Sequence, residues 1–120
     1  MQRIAFQLRI KADKIAEYDE AHRHVWPELI AELESFGVTE YSIFRRDQQL
    51  FLYMQVADYG KLTRHLETST VNLQWQKMMA PLFELVPGLR PGEKQAMMAE
   101  VFFMKGRAKK HDEDAREDKI

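Results

Sequence analysis

Residues 41–56, YSIFRRDQQLFLYMQV, decide the fold. Aromatic and aliphatic side chains run through Tyr41–Arg46 and again through Leu50–Val56. Asp47, Gln48 and Gln49 alone separate the two runs, which suits a tight connection between antiparallel strands. Helical patterns flank this hairpin. Before it, Ile15, Tyr18, His22, Val25 or Trp26, Leu29, Leu33 and Phe36 make an apolar stripe at helical spacing. Asp13 is placed to cap that helix and Gly37 to stop it. Pro27 lacks a backbone N–H, so the helix is predicted to kink there or to break in two. After the hairpin, Asp58–Leu66 reads as helical, and one of Thr68, Ser69 and Thr70 caps a second stretch through Trp75, Met78, Met79, Leu82 and Phe83.

Farther out, Ile4, Phe6, Leu8 and Ile10 alternate with Arg3, Ala5, Gln7 and Arg9, the pattern of a half-buried strand. Pro87, Gly88, Pro91 and Gly92 mark a loop, and Ala96–Met104 is apolar and aromatic enough for a last strand. The order β-α-β-β-α-β is that of the split βαβ, ferredoxin-like α+β sandwich, with one antiparallel sheet and its helices on one face. The other face would carry Phe44, Phe51, Tyr53 and Phe102, too much apolar surface to leave in water. Dimerisation through the sheet is the expected remedy. One domain over residues 1–105 is expected, followed by a charged tail, residues 106–120, expected to be disordered.

Composition removes several classes of function. Net charge is −1 over 120 residues, so no basic field drives nucleic-acid binding. The absence of cysteine excludes thiol nucleophiles and thiolate metal sites and suits a reducing cytoplasm. No apolar run approaches the roughly 18 residues of a membrane span, and the N-terminus lacks a signal-peptide pattern. The four histidines give no metal site to expect, and there is no glycine-rich phosphate loop. Neither a metal nor a cofactor is expected. What remains is chemistry that ordinary side chains perform, above all proton transfer.

Tyr18, His22 and Trp26 recur every fourth residue and turn only about 40° per step, so they share a helix face. A histidine inside an apolar stripe is either held by a neighbouring carbonyl or carboxylate, or offered to a ligand. Neutral imidazole gives and takes protons near neutral pH. Tyr41 opens a strand able to bring a second phenol to the same place. Trp75 reads first as core and only second as a flat apolar floor for a sugar ring. Arg23 and His24 fall off the stripe toward solvent, and His65 has no evident partner.

Taken in order, Tyr18, His22, Trp26-Pro27-Glu28-Leu29, Gly37, Tyr41-Ser42-Ile43, Trp75 and Glu100-Val101-Phe102 resemble the L-rhamnose mutarotase family. The resemblance runs from Ala5-Phe6 to about Met104. It implies a dimeric ferredoxin-like fold that interconverts the α and β anomers of a 6-deoxy sugar, most simply L-rhamnose. It also implies that His22 is the proton donor, that Tyr18 and Tyr41 contact the sugar and that Trp75 lines the pocket. Many members carry a second tryptophan after the one matching Trp75; here Gln76 stands there, an amide that donates and accepts and places the identity of the sugar in question. His22 is expected to act at the ring oxygen, with Tyr18 or Tyr41 orienting or relaying at the anomeric hydroxyl. A mutarotase for another sugar such as L-fucose, a cofactor-free or haem-linked oxygenase of similar fold, and a non-catalytic binding module are the competing readings.

Overall fold

The computed structural model describes residues 1–107. The chain forms β1 (Gln2–Ile10), α1 (Ile15–Arg23), α2 (Pro27–Ser35), β2 (Val38–Arg46), β3 (Gln49–Val56), α3 (Tyr59–Thr68), α4 (Thr70–Met79), β4 (Phe83–Glu84) and β5 (Ala96–Met98). The sheet runs β2-β3-β1-β4, with β5 also on β1, and every pairing is antiparallel. This is the expected ferredoxin-like arrangement. The expected tail falls, from residue 108 onward, outside the described residues.

Alternation puts the core on one face. Phe6 and Ile10 of β1 and Leu50, Leu52, Met54 and Val56 of β3 are buried against the helices, which contribute Tyr18, Leu29, Leu62, Trp75 and Met79. Burial of a large aliphatic side chain such as Leu62 contributes about 1.5–3 kcal/mol. The opposite face is open, with Phe44 63 % and Phe51 37 % exposed.

The helix joints follow local chemistry. Pro27 breaks the first helix, as expected, and starts α2 at the position where no N–H is needed. Gly37 ends α2 with φ 89°, and its N–H donates to the Glu34 carbonyl at 3.0 Å. The Asp58 carboxylate caps α3 by accepting from Lys61 N, and the Ser69 hydroxyl caps α4 by accepting from Asn72 N.

Three expectations are corrected. Asp13 does not cap α1; it lies in a 3-10 turn, Ala12–Lys14, that precedes the helix, and the turn's own bond from Lys14 N to the Lys11 carbonyl takes the place of a side-chain cap. The last strand is divided. Phe83–Glu84, read as the end of a helix, pairs with one end of β1, while Ala96–Met98 pairs with its middle and the ladder stops there. Val101 and Phe102 are 95 % and 78 % exposed, so no apolar burial holds that segment in a ladder. Side chains hold it instead: Glu100 accepts two bonds from Arg3, at 2.6 and 2.8 Å, and the Arg3 guanidinium lies 3.4 Å from the centre of the Phe103 ring.

His65 has partners, the third correction. Its ring stacks on Phe36 at 3.9 Å, and its Nε2 lies 2.6 Å from Glu32 Oε1, which also accepts from Ser69 Oγ at 2.6 Å. These contacts tie α2 to the junction of α3 and α4 across 33 and 37 residues of chain. Nothing local in the sequence marks so long a reach.

Two outcomes follow. A Cβ at Gly37 would lie 2.7 Å from the Ala57 Cβ, and φ is positive there, so Gly37→Ala lowers unfolding stability by about 1–3 kcal/mol in urea titrations. The Ser69 hydroxyl, then His65, hold the Glu32 carboxyl below its usual range. A carboxyl lowered in the folded state stabilises above its unfolded value, and that contribution is lost as pH falls through the folded one. The stability advantage of wild type over Glu32→Gln is therefore full at about pH 5–6 and shrinks below about pH 4. A gap that widens with acid contradicts this.

Candidate active site

A cleft of about 550 Å³ opens between α1–α2 and β2, lined by His22, Val25, Leu29, Ile30, Leu33, Glu34, Val38, Thr39, Glu40, Tyr41, Ile43 and Trp75. Its origin lies in two joints. The break at Pro27 turns the helix so that His22, in the last turn of α1, and Leu29, in the first of α2, face one space. The Gly37 turn folds the end of α2 back, so that Glu34 faces Glu40 and Tyr41 at the start of β2.

His22 is half-buried, and its two nitrogens have different fates. Nδ1 lies 2.9 Å from the Tyr18 carbonyl oxygen. A carbonyl only accepts, so Nδ1 carries the proton and Nε2 is left without a protein partner among the described residues, on a ring that lines the cleft. One nitrogen is thus held as the first reading of this histidine expects, while the other has no partner among the described residues.

The ring is fixed on two further sides. Tyr18 stacks on it with centroids 4.1 Å apart, and Trp75 meets it edge-on at 5.7 Å. Trp75 in turn is braced edge-on by Trp26 at 5.1 Å. Tyr18 and Trp75 are 4 % and 6 % exposed, so both belong to the core, and the site is cut into the core rather than laid on a loop. Imidazole orientation therefore depends on packing, which is stiff.

Both phenols are held neutral. Burial, then Tyr41, then the Asp19 carboxylate push Tyr18 above its ordinary range. Burial first and Tyr59 second do the same for Tyr41, which is 42 % exposed by area although dense protein surrounds its hydroxyl. Such phenols donate hydrogen bonds at neutral pH and make poor bases.

Of the residues singled out in the sequence, His22, Tyr41 and Trp75 line one cleft, and Tyr18 lies directly behind His22. Gln76 does not join them. It is exposed on the far side of α4, where its amide donates to Asn72 Oδ1 at 3.4 Å. Arg23 and His24 point to solvent and pair with Glu20. Glu34, Glu40 and Thr39 were not singled out, although the Gly37 turn between them is a signal that the end of α2 and the start of β2 are neighbours. Among the described residues no group of histidine and acidic side chains is arranged to hold a metal ion.

Comparison with known proteins agrees with this geometry. The family model described as L-rhamnose mutarotase matches residues 3–104. An L-rhamnose mutarotase from Oceanobacillus iheyensis is 38 % identical over 86 residues, covering 70 % of this chain and 82 % of that one. An L-fucose mutarotase from Xanthomonas campestris pv. campestris is 34 % identical over 110 residues, covering 85 % and 87 %. The crystal structure of an L-rhamnose mutarotase from Formosa agariphila superposes with a TM-score of 0.71 at 29 % identity, over 88 % of this chain and 100 % of that one. With the family pattern spanning nearly all of the folded chain, this protein belongs to the L-rhamnose mutarotase family of anomer-interconverting isomerases.

Proposed function

We propose that this protein interconverts the α and β anomers of a free 6-deoxyhexose, L-rhamnose in the first place, with His22 as the proton donor. The observation that carries the reading is the free Nε2 of His22, aimed by the Nδ1 bond to the Tyr18 carbonyl and bordered by Tyr41 and Trp75. Anomer exchange breaks the bond between the anomeric carbon and the ring oxygen. The ring oxygen gains a proton and the anomeric hydroxyl loses one, giving the open aldehyde. Rotation and closure in the reverse sense return both protons.

In this scheme imidazolium Nε2–H supplies the ring oxygen and recovers the proton on closure. The anomeric proton passes to cleft water or to the carboxylate of Glu34 or Glu40, because the neutral phenols do not take it. Tyr41 donates to a sugar hydroxyl and orients the ring. Tyr18 fixes the imidazole from behind. Trp75 supplies the apolar floor, and Val25, Leu29 and Ile43 offer aliphatic surface for the methyl group. A positioned acid or base contributes roughly 10²–10⁴-fold each. The reaction calls for no cofactor.

L-rhamnose stands ahead of L-fucose because the family model and the O. iheyensis and F. agariphila relatives carry that name, while the X. campestris pv. campestris relative keeps L-fucose as the second reading. We further propose a homodimer formed through the open sheet face, where Phe44 and Met98 are 63 % and 42 % exposed. The cysteine-free composition suits a cytoplasmic setting.

Exchange NMR on the anomeric protons of L-rhamnose and L-fucose checks the reaction and the sugar together. Wild type accelerates exchange of L-rhamnose more than that of L-fucose, and His22→Ala lowers the acceleration by roughly 10²–10⁴-fold. A His22→Ala protein as fast as wild type removes the proposal. For the assembly, light scattering of Phe44→Asp is expected to show a shift from dimer to monomer; a wild-type monomer sinks the dimer reading alone.

A further inference from the structure

Asp19 and Arg45 form a forked ion pair between α1 and β2. Arg45 Nε and Nη2 donate to the two carboxylate oxygens of Asp19 at 2.8 and 2.7 Å, and Nη1 donates to the Asp47 carbonyl at 3.1 Å. Asp19 follows Tyr18 on α1 and lies three residues before His22. Arg45 shares the helix-facing side of β2 with Tyr41 and Ile43, since these three pair with Leu50, Met54 and Leu52 of β3, all buried. The two side chains are 30 % and 29 % exposed, and the fork is the geometry in which a partly exposed ion pair holds two elements in one arrangement. Its placement between the helix of His22 and the strand of Tyr41 gives that arrangement a use.

We propose that the Asp19–Arg45 pair is a positioning device for proton transfer, tying the helix that carries Tyr18 and His22 to the strand that carries Tyr41 and keeping balanced charge beside His22. The inference rests on His22 as the proton donor. Arg45, by its hydrogen bonds and charge, is the largest influence holding the Asp19 carboxyl below its usual range, and His22 acts on the same carboxylate. Asp19 in turn helps to keep the Tyr18 phenol neutral. Around His22, Tyr18 stacks on the ring and Asp19 interacts with it from the same helix, while Arg23 turns to solvent toward Glu20. Glu34 on α2 and Glu40 and Tyr41 on β2 line the same cleft, and α4 presents the uncharged Trp75. Arg45 reaches Asp19 from β2 and is the stronger of two cations acting on it, Arg23 on the same helix being the weaker.

Geometry and charge separate in a variant series. Because the proton donor in this scheme is protonated His22, kcat/KM has a basic limb, falling as pH rises. Arg45→Met leaves Asp19 with only the weaker influence of Arg23, favours imidazolium and moves that basic limb to higher pH. Asp19→Asn leaves the guanidinium alone, disfavours imidazolium and moves the limb to lower pH. Their combination returns it close to wild type. Arg45→Lys keeps the charge and loses the fork, so the limb stays in place. In all four, kcat/KM at the optimum falls about ten- to a hundredfold, mostly in kcat, because helix and strand are no longer held in register.

The experiment is the pH profile of L-rhamnose anomer exchange for the five proteins, with thermal unfolding of each. Opposite shifts from the two single variants support the proposal, since a merely structural pair loses stability without splitting the profile. Limbs that stay fixed, or move the same way, overturn it while leaving the reaction itself intact. A wild-type protein that exchanges no sugar overturns the functional reading instead.

Discussion

The missing N–H of Pro27 is the constraint on which the site depends. An uninterrupted helix from Ile15 to Ser35 would carry Tyr18, His22 and Trp26 along one line, all pressed to the sheet. The break ends α1 at Arg23 and restarts the chain at Pro27, with Trp26 in extended backbone between them. His22 thereby falls in a last turn that borders open space, and Trp26 is freed to brace Trp75 rather than continue the stripe. The proline costs a helix its continuity and leaves a cavity wall in exchange.

From that break the chemistry descends in short steps. A helix-end histidine reaches back one turn to the Tyr18 carbonyl, which accepts and so fixes which nitrogen bears the proton. Stacking on Tyr18 and the edge contact with Trp75 hold the ring plane. Tyr18 and Trp75 are themselves held by Ile10, Leu50 and Met79 in the larger core cluster. The orientation of the imidazole is thus supplied by hydrophobic packing, with no extra loops. That economy suits a domain with room for one core. The trade is that substitutions under the site act on fold and function together.

Much of this was legible in the sequence because the signals were local. The hairpin 41–56, the alternation in β1, the break at Pro27 and the caps at Gly37 and Ser69 each rest on a few neighbouring residues. So do His22 and Trp75, whose spacing places them on buried helix faces. What the sequence hid depends on distant pairing. Glu32 meets His65 and Ser69, and Asp19 meets Arg45, across separations with no period to betray them. The end of the chain misled for a related reason. Ala96–Met104 has the composition of a strand, but a ladder also needs a neighbouring strand with free backbone groups, and only Ala96–Met98 pairs with β1. Gln76 shows the limit of register: one residue beyond buried Trp75, a helix has turned about 100° and faces water.

The open face and the cleft are two results of one decision. Placing all helices on one side of the sheet gives the cleft its lid, α1–α2, and its floor, β2. The same decision leaves Phe44, Phe51, Tyr53 and Met98 on the bare side. Phe44 and Tyr41 lie on the same strand, three residues apart and pointing to opposite faces. Whatever covers Phe44 therefore stiffens the backbone that presents Tyr41. An edge strand with one uncovered face is the part of a sheet most free to twist, and β2 is the edge strand here. Arg45 anchors that strand to the helix layer from above, and a second copy against Phe44 would anchor it from below. Between the two, the strand that presents Tyr41 to the cleft would be held on both faces.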